Sequence, residues 1–341
     1  MMKPVPRNLI TDVDGLVVGN AEDEAVRTGV TVILPTEPAV MAVDVRGGAP
    51  GTRDTEALSP GSLVDRFHGL VLSGGSVFGL DAASAVTHWL SRRGRGLPLG
   101  PVAIPVVPSA ILFDLANGGD KGWQDNPPYR ELALKACRNS SRCIELGNSG
   151  AGFGATAGPI KGGLGSASLQ DETGIVVGAL FAVNSYGSTV IPGTDTFWAW
   201  TLEQGRELGG QKAPGLSGLA GGLPLDRDLP EQSQLAQNTT IGVIATNVAL
   251  TKTMAQRVAV MAQDGLARAI RPVHTPFDGD TVFVISTAAR QLDRPESVHI
   301  ARLGMMAADC AARAIARGVF RARSLGDIAS YRDLHGAALT G

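Results

Sequence analysis

Asn238-Thr239-Thr240-Ile241-Gly242-Val243-Ile244-Ala245-Thr246 places a hydroxyl residue at the head of an apolar, β-branched run that reads as a buried strand. The residues before it, Arg206 to Gln237, hold Gly209-Gly210, Pro214, Gly218, Gly221-Gly222, Pro224 and Pro230 and show neither helical nor strand period. A structureless stretch of more than ~20 residues inside a compact domain calls for a functional reason. One such reason is scission of the chain. If the Asn238–Thr239 bond opened, Thr239 would carry a nucleophilic hydroxyl and a free α-amine, the attacking group and the base of threonine-type acyl transfer on one residue. A loop that simply ends in a strand beginning with Thr has the same sequence, and these residues taken alone favour that ordinary explanation.

The rest of the chain narrows the choice. Apolar residues make up 44% and charged residues 18% of 341, enough for a substantial core and unlike a disordered chain. The 44 glycines imply many tight turns and close backbone approaches. A net charge of −2 argues against nucleic-acid binding, which needs a basic patch or stripe. Cys137, Cys143 and Cys310 are too few and too scattered for a disulfide framework or a zinc cluster, and Cys310 reads as a core thiol. The N-terminal Met1-Met2-Lys3-Pro4-Val5-Pro6-Arg7 lacks the apolar run of a signal peptide, and no apolar stretch approaches the ~18 residues of a membrane span. A soluble cytoplasmic protein with no membrane or nucleic-acid partner is expected.

Strands are predicted over 28–34, 39–45, 69–72, 102–107 and 175–184, with a helix after Ser73-Gly74-Gly75-Ser76 that runs through Leu80, Ala83, Val86 and Leu90 to a stop at Gly94. Beyond Thr239 the pattern gives a strand through Ala245 and a helix near 251–270 with Met254, Val258, Met261, Ala262 and Leu266 on its core face. A strand over 281–286 follows, and then a helix near 296–317 that buries Ile300, Leu303, Ala307, Cys310 and Ala314. The mixture predicts a layered α+β domain with mixed sheet.

Several residues carry candidate chemistry. Gly152-Phe153-Gly154-Ala155-Thr156-Ala157 matches a dinucleotide fingerprint, with Asp171 and Glu172 at ribose-ligand spacing. Gly158-Pro159 and Gly162-Gly163 break the helix that the fingerprint needs, so a tight loop presenting amides and Lys161 fits better, and no cofactor is expected. Lys161, among Ile160 and Gly162-Gly163, suits a partly buried ammonium that would depress the pKa of a nearby α-amine; a solvated surface lysine is the commoner case. Asn184 ends an apolar strand, where its amide can meet a developing oxyanion or simply open a turn. Asp278-Gly279-Asp280 sets two carboxylates on one side of a strand start, able to hold an α-ammonium and orient an attacking residue, or merely to form a turn. His274 makes a metal site conceivable, yet one histidine and two carboxylates are weak grounds, and no metal is expected. His68, His88, His299 and His335 lie in separate segments and suggest no Ser-His-Asp triad.

Taken together, these stretches resemble the self-processing N-terminal-nucleophile hydrolases that include the L-aminopeptidase D-amidase/D-esterases, β-peptidyl aminopeptidases and nylon-oligomer (6-aminohexanoate oligomer) hydrolases. The resemblance rests on Leu72-Ser73-Gly74-Gly75-Ser76-Val77-Phe78-Gly79-Leu80-Asp81, Gly150-Ala151-Gly152-Phe153-Gly154, Lys161-Gly162-Gly163, Val183-Asn184, Asn238-Thr239-Thr240 and Asp278-Gly279-Asp280-Thr281, and extends from Ile10 to the last helix. It implies an αββα sandwich over 1–341 and self-cleavage between Asn238 and Thr239 into fragments 1–238 and 239–341. It further implies Thr239 as nucleophile, Asn184 at the oxyanion, and Lys161, Asp278 and Asp280 as the polar cluster of the nylon-oligomer hydrolases. The β-peptidyl aminopeptidases have Ser and Glu at the paired positions and Ser as nucleophile, and Ile111 or Phe113 stands here where they have a catalytic-site tyrosine. The expectation is an amide or peptide hydrolase acting on small peptides, amino-acid amides or ω-amino acid oligomers, assembled as a homo-oligomer. The alternatives are an acyltransferase like the self-cleaving ornithine acetyltransferases, and an uncleaved, non-enzymatic binding protein.

Overall fold

The computed structural model describes residues 2–214, 238–292 and 296–336, with strands β1 (Leu16–Asp23), β2 (Thr28–Pro35), β3 (Val40–Val45), β4 (Thr52–Arg53) and β5 (Leu70–Ser73) opening the chain. Helix α1 (Asp81–Ser91), β6 (Ser109–Ile111), α2 (Tyr129–Arg138), β7 (Thr156–Ala157), β8 (Ile160–Lys161), β9 (Gly163–Gln170) and β10 (Val176–Asn184) follow. After Asn238 come β11 (Thr239–Val248), α3 (Lys252–Ala269), β12 (Thr281–Arg290), α4 (Glu296–Arg321) and α5 (Tyr331–His335). Two five-stranded sheets result, in the orders β1-β2-β5-β6-β4 and β3-β12-β11-β10-β9.

Each sheet contains one parallel pair, β5 with β6 and β11 with β12. Parallel neighbours need a crossover, and the crossovers here run through α1 and α3. Those helices, joined by α2 and α4, cover the outer faces, and side-chain alternation separates three cores. Along β11, Ile241, Val243 and Ala245 enter the core between the sheets, whereas Ile244 and Val248 enter the core shared with α3 and α4. Val30, Val32 and Val71 of the other sheet pack against α1 and α2. The architecture is the expected αββα sandwich, and it explains why β10 is apolar on both faces.

Other expectations need correction. Residues 102–107 form no strand; Leu97 and Ile104 exchange two backbone hydrogen bonds there, but Pro105 and Pro108 lack the N–H groups to extend a ladder. The helix expected directly after Ser76 begins instead with a 3-10 turn over Ser76–Leu80 and ends at Ser91, with Gly94 in the left-handed region at φ 69°. On α3 the buried stripe is Ala255, Val258, Ala259, Ala262 and Leu266, while Met254 and Met261 sit at its margin. The region expected to be irregular from Arg206 has no helix or strand through Pro214, and residues 215–237 lie outside the described residues. Cys310 is buried as expected, and burial pushes its thiol up to about 12.

β1, α2 and β9 were not among the predicted elements, although Tyr129, Leu132, Ala133 and Ala136 of α2 are buried at helical spacing. β9 reads Gly-Leu-Gly-Ser-Ala-Ser-Leu-Gln, poor in β-branched residues, because α4 lies almost on its backbone. A Cβ on Gly165 would stand 1.9 Å from Ala314 O and 2.4 Å from Gly318 N. Beside this seam a charge is buried in α4: Arg313 holds Glu207 through Nε at 2.6 Å and Nη2 at 2.9 Å, and donates to Ser168 O at 3.0 Å. Gly165→Ala should therefore force helix and strand apart and destabilise the protein by about 1–3 kcal/mol, seen as a lower denaturant midpoint.

Candidate active site

The head of β11 organises the site. Antiparallel pairing with β10 runs from Val177↔Thr246 to Asn184↔Thr239, so the last residue of one strand faces the first of the other. Alternation aims both side chains at the space between the sheets, the side taken by Ile241 and Ala182. Thr239 and Asn184 are both buried.

The Asn238 carbonyl lies between two donors. Its oxygen accepts the Gly279 N–H at 3.2 Å and the Thr239 hydroxyl. Asn238 also forms a parallel bridge with Asp278, which carries the β11–β12 pairing one step past the strand. Gly279 is small for a reason: a Cβ there would stand 2.7 Å from Thr239 Oγ1 and 2.8 Å from Ala49 O. Any larger residue would displace the hydroxyl.

The two carboxylates brace this corner from the opposite side. Asp280 Oδ1 accepts the Thr240 N–H at 2.8 Å, and its Oδ2 accepts the His274 N–H at 3.1 Å and meets His274 Nδ1 at 2.8 Å. Asp278 Oδ2 accepts the Thr275 N–H at 3.0 Å and the Thr275 hydroxyl at 2.5 Å, while Oδ1 accepts the Tyr186 N–H at 3.2 Å. Burial raises the Asp278 carboxyl above the ordinary range, and the nearby Asp280 adds to the shift. His274, the residue that made a metal conceivable, is a partner of Asp280. Among the described residues no group of three or more His, Cys, Asp or Glu side chains is arranged to hold a metal ion.

Lys161 is buried more deeply than the partly buried ammonium expected from the sequence. It is fully buried, and Nζ donates to Ala155 O and Gly162 O at 2.9 Å each and to Gly152 O at 3.1 Å. All three ammonium protons thus serve backbone carbonyls rather than Thr239. The fingerprint-like Gly152–Ala157 segment contains no helix; it folds through a 3-10 turn into β7 and presents carbonyls to Lys161. Its connection to the strand ends is indirect. The Thr156 N–H of the same turn donates to Asn184 Oδ1 at 2.9 Å, and Asn184 Nδ2 donates to Phe113 O at 3.0 Å. Phe113, which with Ile111 is one of the two candidates for the position of the aminopeptidases' tyrosine, therefore contributes its carbonyl. Thr239, Asn184, Asp278 and Asp280 come together, with Lys161 behind them. Gly279, Thr156 and Phe113 were missed as participants because they act through backbone atoms, which leave no residue-type signal.

Burial lowers the Lys161 ammonium to about 7 against an ordinary 10.5. Between these values the unfolded chain holds a proton that the folded chain has released, so this group makes stability rise with pH. Denaturation of the protein and its Lys161→Met variant should diverge in the protein's favour from about pH 7 to about pH 10. Parallel curves over that window would contradict the assignment.

Residues 8–331 match the sequence pattern of Peptidase family S58. An uncharacterized aminopeptidase of Mycobacterium tuberculosis is 40% identical over 344 residues, spanning 96% of this chain and 98% of that protein. A 6-aminohexanoate-oligomer endohydrolase of Kocuria sp. is 29% identical over 87% of this chain and 82% of its own length. In fold, the L-aminopeptidase D-Ala-esterase/amidase of Ochrobactrum anthropi, described as a variant of the Ntn hydrolase fold, superposes with a TM-score of 0.72 at 22% identity, covering 99% of this chain and 95% of its own. A Burkholderia sp. β-aminopeptidase gives 0.74 at 20% identity over 100% and 94%.

Proposed function

The chain belongs to Peptidase family S58 and is a hydrolase; from that premise we propose that it cuts itself between Asn238 and Thr239 and then hydrolyses small peptides or amides with Thr239 as nucleophile. One observation carries the reading: the Thr239 hydroxyl lies on the Asn238 carbonyl, whose oxygen already accepts the Gly279 N–H. In the first step Oγ1 attacks the Asn238 carbonyl carbon, and the Gly279 amide takes the developing oxyanion. The C–N bond breaks as the hydroxyl proton passes to the Thr239 nitrogen, which leaves as an amine, and water hydrolyses the resulting ester to leave Asn238 as a carboxylate.

In turnover the freed α-amine, with an ordinary pKa of ~7.7–8.0, takes the hydroxyl proton as Oγ1 attacks the substrate carbonyl. The Gly279 N–H and the Asn184 amide serve the tetrahedral intermediate, and Asp280 holds the second residue of the new terminus through the Thr240 N–H. Water then releases the acyl group. The relatives named for aminopeptidase activity and for 6-aminohexanoate oligomers support small peptides, amino-acid amides and ω-amino acid oligomers as substrates.

Cleavage would leave β11, β12, α3 and α4 in fragment 239–341, with β12 still paired to β3 and β11 to β10 of fragment 1–238. The Arg313–Glu207 pair would join the same two fragments. Purified protein should therefore give masses for 1–238 and 239–341 under denaturing conditions yet run as one particle natively. A single intact mass from material that hydrolyses amides would remove the mechanism. Thr239→Ala should remain uncut. Gly279→Ala, which keeps the amide but crowds the hydroxyl, should slow self-cleavage strongly. Asn184→Ala in cleaved protein should lower kcat by ~10²–10³, the usual effect of losing one oxyanion donor.

A further inference from the structure

A carboxylate outside the expected set lies against the Lys161 turn. Asp114, buried three residues past the end of β6, accepts the Gly75 N–H on Oδ1 at 2.8 Å and the Thr28 hydroxyl on Oδ2 at 2.6 Å. A Cβ on Gly74 would stand 2.2 Å from Oδ2, and one on Gly154 2.8 Å. Gly152 and Ala155, which flank Gly154, supply two of the three carbonyls on Lys161 Nζ. A single thickness of backbone thus separates a buried carboxylate from a buried ammonium.

Asp114 is the charged group that acts on Lys161. The 150–157 turn, β9 and β10 contain no titratable side chain, and the segment whose Ala329 carbonyl accepts the Lys161 N–H carries the exposed Asp327 and the buried Tyr331, each two residues from Ala329. Asp114 itself faces Lys121 and, from α2, Tyr129.

Building on the reading of Thr239 as nucleophile, we propose that Asp114 is a positioning residue for the reaction, the counter-charge that raises the share of Lys161 held as an ammonium and so steadies Asn184. The link is a count of donors. An ammonium satisfies all three carbonyls of the turn, whereas a neutral amine has only two protons and leaves one carbonyl without a partner. The turn that would loosen is the one whose Thr156 N–H fixes Asn184 Oδ1. Burial sets both groups near neutrality, Asp114 raised to about 6 and Lys161 lowered to about 7, so their charges respond to small changes.

The test separates this pairing from the nucleophile itself. In Thr239→Ala protein carrying ¹⁵N-lysine, Asp114→Asn should move the Lys161 titration midpoint down by about one unit or more. In cleaved protein that is otherwise unaltered, Asp114→Asn should lower kcat for amide hydrolysis about tenfold at pH ~8, with the deficit shrinking towards pH ~6. A Lys161 midpoint that does not move overturns the proposal, as does a kcat equal to the parent's at every pH. If the Asn variant does not fold, Thr28→Val, which withdraws the hydroxyl donor, should lower the same midpoint by a smaller amount, and no shift overturns the proposal equally. A parent chain that never cuts itself would refute the Thr239 reading while the Lys161 titration still decides the pairing.

Discussion

The antiparallel pairing of β10 with β11 is the constraint on which the site depends. Because the register closes with Asn184 opposite Thr239, two polar side chains that are distant in sequence share one face of the sheet at its edge. A slip of β11 by one residue would turn Thr239 towards α3 and α4 and put Thr240 in its place opposite Asn184. The register is held by apolar alternation along nearly the whole of both strands, with one core on each side. The stability of the sandwich and the geometry of the site therefore have the same origin.

Around this strand end the protein satisfies buried polar groups chiefly with its own backbone. Asp278 and Asp280 accept amides from Thr275, Tyr186, Thr240 and His274, Lys161 donates to three carbonyls, and Asn184 joins Thr156 to Phe113. A buried charge without such partners costs several kcal/mol (~3–5 when one member of a pair is removed). The network consequently fixes the loops that cross the sheet edge as firmly as the strands themselves. Glycines appear where those loops approach most closely, at Gly279 against Thr239 and Ala49 and at Gly165 against α4.

Much of this was legible in sequence, and the exceptions have physical causes. Strands with β-branched, apolar runs such as 28–35 and 176–184 were read nearly to their ends, as were α3 and α4. β9 was missed because its composition answers to a helix packed on its backbone rather than to strand propensity. Residues 102–107 were misread because apolar pattern outweighed Pro105 and the flanking Pro108. Among site residues, Thr239, Asn184, Asp278 and Asp280 could be singled out by type and position at strand ends. Lys161 could be singled out too, but its partners could not, since carbonyls carry no signature. Asp114 looked like any acidic residue after a strand.

The sequence by itself determined the segments of a layered α+β domain with mixed sheet and a hydroxyl residue at the head of a buried strand, while the four-layer order came only with the family resemblance. Only the tertiary structure decided that Asn184 faces that hydroxyl, that the Gly279 amide meets the Asn238 carbonyl, and that Lys161 turns to the backbone. Periodicity is a local property that burial enforces one strand at a time. The meeting of strand ends is set by register and crossover between segments tens of residues apart, and no local pattern encodes it.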